Sequence, residues 1–265
     1  MERGSIFSSK RGQVTVFIII AVLIVVAAVL VYILVPKAST ESSFNAKNPQ
    51  GFIQSCLQKT LEQDINNISL QGGSLNPESY YPYMGSNVEY LCYTNEYYQT
   101  CVVQQPALQQ HVESEIKNAI SGSIGPCFDN LQQNYRNDGY TTNVATGKTI
   151  VDILPGKTIL SLENYTLTVT KGGTSVYDSF SIVLNNNLYE LIGIANSILQ
   201  WEATYGDAPV ETYMTYYEDL QVEKILKSDG TKIYILTNTN TGDKFQFASR
   251  SVVFPPGYAT NTIPG

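Results

Sequence analysis

An uninterrupted apolar run, QVTVFIIIAVLIVVAAVLVYILV, is the first pattern along the chain and extends from Gln13 to Val35. It contains no charged residue, no glycine and no proline, and Pro36 follows it. A helix of these 23 residues would be roughly 34 Å long, enough to cross a bilayer core of about 30 Å. The run therefore predicts a long hydrophobic helix over residues 13–36, which either spans a membrane or forms the core of a filament.

Residues 37–48 have the Ser, Thr and Asn content that is typical of a linker. After them, apolar residues recur at the spacing of a helix. Asn48 before Pro49 is typical of a helix start, and apolar residues then recur every third or fourth position. We predict four helices. They run from Pro49 to Gly72 and Gly73, from Pro106 to Gly122, from Gly125 and Pro126 to the turn at Asn137, and from the asparagines 185–187 to Gly206. Trp201, the only tryptophan, is expected to pack near the end of the fourth helix.

The second half of the chain also contains alternating apolar and polar residues, which predict half-buried strands. Glycine-containing turns separate these strands and predict hairpins. The predicted strands are 149–154, 158–162, 165–170, a single returning strand over 176–184, 222–227, 232–237 and a segment around Phe245 and Phe247. A tail at Val252 to Phe254 could cover a sheet edge.

Charge is distributed unevenly around the apolar run. Arg3, Lys10 and Arg11 precede it and only Lys37 follows closely, so the positive-inside rule places the N-terminus in the cytoplasm and exports the remainder. The formal net charge is −7, and such a surface repels phosphate backbones. We therefore expect no nucleic-acid partner.

Four cysteines lie in the exported part, and an even count in an oxidising compartment favours two disulfides over free thiols. Cys92 and Cys101 enclose eight residues, so their locality favours this pair and leaves Cys56 with Cys127. Three pairings remain open on spacing alone. A zinc site is disfavoured because no CxxC occurs and His111 is the only histidine.

The residues just before the apolar run, Lys10, Arg11 and Gly12, are followed by Gln13. This arrangement resembles the class III signal of archaeal type IV pilin-like proteins, and the resemblance covers about residues 8–35. In that family a membrane peptidase cuts after a glycine that follows basic residues, and the apolar helix remains as a filament core. The resemblance implies cleavage between Gly12 and Gln13.

That resemblance implies a structural subunit of a cell-surface filament, anchored in the membrane before assembly. Its partners would be copies of itself, a leader peptidase and the pilus assembly machinery, with adhesion through the exported part. The family often has an acidic residue at the fifth mature position, where this chain has Phe17. The alternative is therefore an uncleaved single-pass anchor carrying a non-polymerising surface adhesin or receptor.

Together these patterns predict an α+β fold, in which a long N-terminal hydrophobic helix precedes a disulfide-stapled head with helices packed on antiparallel sheet. The expected organisation is a leader at 1–12, the hydrophobic helix at 13–36, a linker at 37–48 and an extracellular head at 49–265.

Two features of the head suggest surface contacts. Residues 80–98 hold seven tyrosines, whose flat rings suit a glycan or protein ligand, although some are expected to pack. Asn67 and Asn164 begin N-glycosylation sequons on the exported side.

Catalytic patterns are weak. Any Ser-His-Asp or Cys-His pair would need His111 as its base, and its place on a predicted helix favours a partly exposed structural role. The chain has no GxSxG, HExxH, Walker or GxGxxG motif, and adjacent acids such as Glu218 and Asp219 are typical of an acidic surface. A carboxylate-based hydrolase is the remaining enzymatic alternative. We predict a protein that is not an enzyme and holds no cofactor or metal.

Overall fold

The computed structural model describes residues 19–24 and 44–253, which belong to two compact units. The larger unit, Phe44–Gly265, contains the whole predicted head and is called the head domain below. It includes the last residues of the predicted linker, because the Phe44 ring lies edge-on to Tyr135 at 4.9 Å. The Tyr135 hydroxyl also donates to the Ala46 carbonyl at 2.7 Å.

The predicted long N-terminal hydrophobic helix is wrong, because the first helix among the described residues is short and covers only residues 19–24. The rest of 13–36 lies outside the described residues. All six side chains are classed as exposed, Ile24 for example at 63%. Hydrophobicity expresses a preference for apolar surroundings and does not by itself set the length of a helix, and β-branched residues such as Ile19 and Val22 favour helix less than Leu or Ala. No helix within the described residues is long and apolar enough to span a membrane.

The head domain is α+β, as predicted, with four helices and twelve strands in its described residues. The helices are α1 Pro49–Leu70, α2 Leu108–Asn137, α3 Leu188–Tyr205 and α4 Val210–Tyr216. The strands are β1 Tyr80–Tyr83, β2 Ser86–Tyr93, β3 Val102–Val103, β4 Thr141–Ala145, β5 Lys148–Leu154, β6 Lys157–Glu163, β7 Thr166–Thr170, β8 Thr174–Tyr177, β9 Phe180–Asn185, β10 Leu220–Leu226, β11 Thr231–Asn238 and β12 Lys244–Arg250.

Helix α1 begins as the sequence predicts. The Asn48 side chain accepts a hydrogen bond from the Gly51 amide at 3.0 Å, and Pro49 occupies the first turn, where its missing N–H costs nothing. One stripe of α1, including Leu57 and Leu61, is fully buried against α2 and the sheets. This burial, rather than intrinsic propensity, holds the helix.

Helix α2 is one continuous helix, whereas the sequence predicted two helices interrupted between Gly122 and Pro126. Pro126 cannot donate to the Gly122 carbonyl, which ordinarily weakens a helix at that point. The apolar stripe nevertheless continues in phase on both sides of the proline, with Ile120 before it and Leu131 after it buried. The adjacent Cys127 is also bonded to α1, so tertiary packing outweighs the local break.

Three sheets pack around the helices. A six-stranded sheet has the order β1-β2-β12-β11-β10, with β3 paired to β2, and two three-stranded sheets have the orders β4-β7-β8 and β5-β6-β9. The large sheet is not purely antiparallel as predicted, because β12 runs parallel to β2. Such a pair joins residues far apart in sequence, which no local turn signal can specify.

The predicted single strand over 176–184 is divided into β8, which pairs with β7, and β9, which pairs with β6. Val176 is 61% exposed, whereas Phe180 is buried and its ring lies edge-on to Phe128 at 5.0 Å. The even spacing of apolar residues therefore crosses two strands that serve different sheets.

Both faces of the large sheet are covered. In β11, Tyr234 and Leu236 face the main core, while Ile233 and Ile235 belong to a second cluster. Lys227, just after β10, lies over the Tyr83 ring of β1 at 4.6 Å. Since β1 and β10 are opposite edges of the strand order, the sheet curls and encloses this second cluster. Its members are Val88, Tyr90, Ile233, Ile235 and Ala248, with Tyr81, Tyr83, Tyr93 and Ile225 packed against them.

The predicted disulfides are present, and the structure pairs Cys92 with Cys101 and Cys56 with Cys127. The first closes a short loop between β2 and the residue before β3. The second joins α1 to α2 across the core, with a sequence separation of 71 against 9 for the first.

Replacing each cysteine pair by alanines should therefore give unequal losses. The chain-entropy cost of the freed loop is about 4.4 kcal/mol for the Cys56–Cys127 separation of 71 and about 2.6 kcal/mol for the Cys92–Cys101 separation of 9. We expect the Cys56→Ala/Cys127→Ala variant to lose more unfolding free energy in urea titrations. Equal losses would contradict a dominant role for the helix-to-helix bond.

Candidate functional site

Helix α3 carries two different faces. Leu191, Ile198 and Leu199 lie on the inner face and are buried. The outer face presents Gly193 and Trp201 in positions where a helix normally carries charged residues. Trp201, the only tryptophan, packs beside the Tyr205 ring near the end of the helix, with centroids 4.9 Å apart, but it stays 40% exposed and lies outside the core.

The short helix α4 lies beside this outer face. Val210 is buried and anchors its first turn, and the Tyr213 hydroxyl lies 2.7 Å from Ser197 Oγ of α3. This hydrogen bond fixes α4 at α3 and leaves Tyr216 and Tyr217 exposed at 79% and 51%. A tyrosine hydroxyl tolerates water, but a ring this exposed gains little from burial.

Two adjoining cavities lie along α3 and α4, and we call them together the aromatic groove. Their volumes are about 410 Å³ and 460 Å³, within the usual range of small-molecule sites. Ser197, Tyr213 and Tyr217 line both cavities. The second cavity is completed by Trp201, Pro209, Thr212 and Tyr216, and the first by Asn187, Glu190, Leu191, Gly193, Ile194, Asp219, Leu220 and Asn238.

The first cavity gives the groove a polar end. Asn238 Nδ2 donates to Asp219 Oδ2 at 2.9 Å, so the amide and the carboxylate hold each other. Glu190 Oε1 accepts from the Gly156 amide at 3.0 Å. No Lys, Arg or His is among the described residues that line either cavity. The groove thus combines aromatic surface with oxygen and amide groups and carries a negative balance.

Gly193 lies in the interior of α3, where glycine is unfavourable. A Cβ built at this position meets no heavy atom within 4 Å, so packing does not require glycine there. Gly206, at the end of the same helix, differs. It has φ +80°, and a Cβ would overlap Val253 Cγ2. The fold therefore requires glycine at position 206, whereas no neighbouring atom requires it at position 193, which lines the first cavity.

A buried ion pair lies on the inner side of the same helix. Glu202 has no exposed surface, and Lys232 Nζ of β11 reaches its two carboxylate oxygens at 2.8 and 2.9 Å. Ser249 Oγ donates to Glu202 at 3.0 Å, and the Tyr234 hydroxyl donates to it as well. Lys232 Nζ also lies 3.3 Å from the Asp207 carboxylate. Burial raises the pKa of the Glu202 carboxyl, and the charge and hydrogen bonds of Lys232 oppose that rise.

This network has a structural role, because its polar groups bond to one another and tie α3 to β11 and β12. A buried pair of this kind adds little net stability, but removing one partner leaves a buried charge without compensation.

The only histidine also belongs to a closed polar cluster. His111 Nε2 lies 2.7 Å from Ser74 Oγ, which is 2.5 Å from Glu89 Oε2. The ionised carboxylate only accepts, so the Ser74 hydroxyl donates to Glu89 and the histidine N–H donates to Ser74. This order is opposite to that of a serine nucleophile activated by a histidine base. Burial raises the pKa of Glu89, and hydrogen bonds from Ser74 and Gln105 oppose the rise.

The Ser74 cluster joins the turn after α1 to neighbouring elements. Glu115 of α2 accepts from the Leu75 amide at 2.9 Å, and the Glu89 amide of β2 donates to the Gln71 carbonyl. His111 is half-buried on α2, as its helical position suggested. Within the described residues, no three His, Cys, Asp or Glu side chains are grouped so as to hold a metal ion.

The tyrosines of residues 80–98 are divided between two environments. Tyr80, Tyr97 and Tyr98 are exposed, whereas Tyr90 is buried. Tyr81, Tyr83 and Tyr93 are half-buried against the second cluster of the large sheet. The predicted contact surface is therefore smaller than the sequence suggests.

The remaining predicted sites are dispersed. Asn67 is exposed on α1, and Asn164 is exposed in the turn between β6 and β7, with φ +58°. Gly12 and Gln13 lie outside the described residues.

Sequence reasoning missed α4 and the aromatic groove. The sequence contained one signal of an aromatic surface: three tyrosines lie in the short stretch 213–217 after Pro209, near the lone tryptophan. No protein family, no curated protein and no solved structure matches the chain. The site must therefore be interpreted from its own geometry.

The two glycines of α3 give a matched prediction. Gly193→Ala should raise the free energy of unfolding by about 1 kcal/mol, because alanine favours helix and the position is open. Gly206→Ala should lower it, because of the positive φ and the overlap with Val253. Chemical denaturation of both variants checks the signs. A loss of stability in Gly193→Ala would show that the position is crowded.

The buried ion pair gives a pH-dependent prediction. Lys232→Met should cost about 3–5 kcal/mol of unfolding free energy near neutral pH, because Glu202 is left buried and unpaired. Without Lys232 the pKa of Glu202 rises further, so the folded variant binds a proton at a pH where the unfolded chain does not. Its deficit relative to the wild type should shrink on acidification from about pH 7 to about pH 5.

Lys157→Met, at an exposed position of β6, is the control and should change the stability by less than about 0.5 kcal/mol at either pH. A Lys232→Met deficit that stays constant or grows on acidification would contradict the assignment.

Proposed function

We propose that this protein is a structural subunit of a cell-surface filament of the type IV pilus kind, with the head domain displayed outside the membrane. The proposal rests on the order of three segments along the chain. The basic Lys10-Arg11-Gly12 precedes an uncharged run of 23 residues, and a disulfide-bonded domain begins at Phe44. Residues 1–12 would be the leader, removed by a leader peptidase between Gly12 and Gln13.

The physical case rests on what cleavage would change. Removing residues 1–12 takes away Arg3, Lys10 and Arg11, the charges that hold the run at the cytoplasmic side. The freed apolar segment would then bury itself against the same segment of other copies, and every added subunit repeats that gain. Copies of the chain and the pilus assembly machinery are the partners this requires.

The head domain supports display rather than catalysis. Its two disulfides suit an oxidising exterior. Its histidine, His111, donates a hydrogen bond to Ser74, and the buried Glu202 is paired with Lys232. The exposed Asn67 and Asn164 would be available for glycosylation on that side.

A second candidate is a non-polymerising surface adhesin or receptor held by an uncleaved N-terminal anchor. Phe17 favours it, since an acidic residue is frequent at that position in pilin-like proteins. In this case the detergent-solubilised protein would remain monomeric in light scattering, and shearing would release no polymer.

Replacement of Gly12 separates the two candidates. In the wild type we expect mass spectrometry of surface material to show a chain beginning at Gln13, and electron microscopy of the sheared fraction to show filaments. Gly12→Val should retain Met1 and abolish filaments, because a bulky residue blocks a peptidase that requires glycine.

Gly4→Val is the matched control, since Gly4 lies in the same leader but does not follow the basic pair. It should be processed normally. Filaments built from chains with an intact Met1 would overturn cleavage-dependent assembly, and a monomeric wild-type surface protein would favour the adhesin.

A further inference from the structure

We propose that the aromatic groove is a carbohydrate-binding site for neutral oligosaccharides. Sugar rings would stack on Trp201, Tyr216 and Tyr217, and their hydroxyls would donate to the Asp219 carboxylate, which Asn238 orients, at the polar end. The inference goes beyond surface display, because it applies to a filament subunit and to an anchored monomer alike.

The aromatic part of the groove provides the first argument. Pyranose rings have apolar C–H faces and polar edges, so they match a flat ring that remains partly in water. Trp201, Tyr216 and Tyr217 are such rings, and all three are exposed along one groove. Aromatic side chains of this kind offer a large contact area with little loss of conformational entropy.

The polar end provides the second argument, because it selects hydroxyl groups. Asn238 donates to one oxygen of the Asp219 carboxylate, which holds both planar groups in fixed orientation. Asn238 Oδ1 already accepts from the Asn240 and Thr241 amides at 2.9 and 3.0 Å, so Asn238 orients the carboxylate, and the Asp219 carboxylate is the group that accepts from sugar hydroxyls. A purely apolar ligand would cover this carboxylate without donating to it, which is unfavourable.

Charge decides the class of sugar. Glu190 and Asp219 line the groove, and no cationic side chain is among its described lining residues. An acidic oligosaccharide or a phosphate would be repelled. An organic cation is a poorer match, because two adjoining cavities of about 410 and 460 Å³ exceed the needs of one ammonium group.

Gly193 provides the last argument. Alanine would stabilise the helix at this open position, but glycine leaves the space above it in the first cavity empty. A longer side chain at this position would occupy part of the first cavity, which Gly193 lines and where its Cβ would meet no heavy atom within 4 Å. The glycine therefore permits a ligand to extend along the whole groove.

Trp201 is the only tryptophan, so its fluorescence reports directly on the site. The full chain would be purified in a detergent without a sugar headgroup and titrated with three neutral trisaccharides: cellotriose, mannotriose and the fully N-acetylated chitotriose. Trigalacturonate and choline would be the charged comparisons. We expect a saturable change in Trp201 emission with at least one neutral trisaccharide and none with the charged probes.

Four variants, two in the groove and two controls, assign the response to the groove. Tyr216→Ala and Gly193→Leu should each weaken binding by about tenfold or more, the first by removing a stacking surface and the second by filling part of the first cavity. Gly122→Leu, at an open and exposed helical position of α2 that lines neither cavity, is the matched control for the glycine replacement. Tyr97→Ala, at an exposed tyrosine of the loop after β2, is the control for exposed rings. Both controls should bind as the wild type does.

The proposal is overturned if no neutral trisaccharide gives a saturable change, if trigalacturonate or choline binds as tightly, or if Gly193→Leu binds normally. Filament formation is measured separately by microscopy, so loss of sugar binding and failure to polymerise are distinguishable outcomes.

Discussion

The bond between Cys56 and Cys127 joins the two long helices, and each of the three sheets packs against this pair. Helix α1 contacts β9 and β12, while α2 contacts β4 and β5. Fixing α1 to α2 therefore fixes the positions from which all the sheets are built. It also lets α2 pass through Pro126 without a break, because the residue after the proline is covalently held.

The six-stranded sheet then positions α3, and two buried polar groups specify how. Lys232 and Glu202 can pair only in one register of the helix against β11, since either charge alone in the core would be strongly unfavourable. Once α3 is set in this way, its outer face is set too. Trp201 directly precedes Glu202 in the sequence. The ion pair that fixes Glu202 toward the core therefore also fixes Trp201 on the outer face of the helix.

Local patterns predicted much of this fold. The stripe of α1, the hairpin at Asp229 and Gly230 and the end of α3 at Gly206 follow from spacing and turn chemistry, and the short Cys92–Cys101 loop follows from locality. The N-terminal run was predicted as a long helix from hydrophobicity alone, which does not fix conformation. The parallel pairing of β12 with β2 depends on contacts between distant residues.

Local sequence patterns could not predict the aromatic groove, for the same reason. It arises where the hydroxyl of Tyr213 meets Ser197, and neither residue indicates that meeting in the sequence. Each ring taken alone is compatible with ordinary packing. Their shared exposure becomes visible only after α4 is positioned beside α3.

The edges of the large sheet bear on how head domains would behave when crowded together. One edge strand, β1, contains Pro82, which cannot donate to an added strand, and Lys227 at the opposite edge lies over the rings of β1. Neither edge is left as a free template for another chain. Copies packed at high local density would thus resist joining their large sheets edge to edge, and contacts at these edges would have to be made by side chains, which can be reversible and specific.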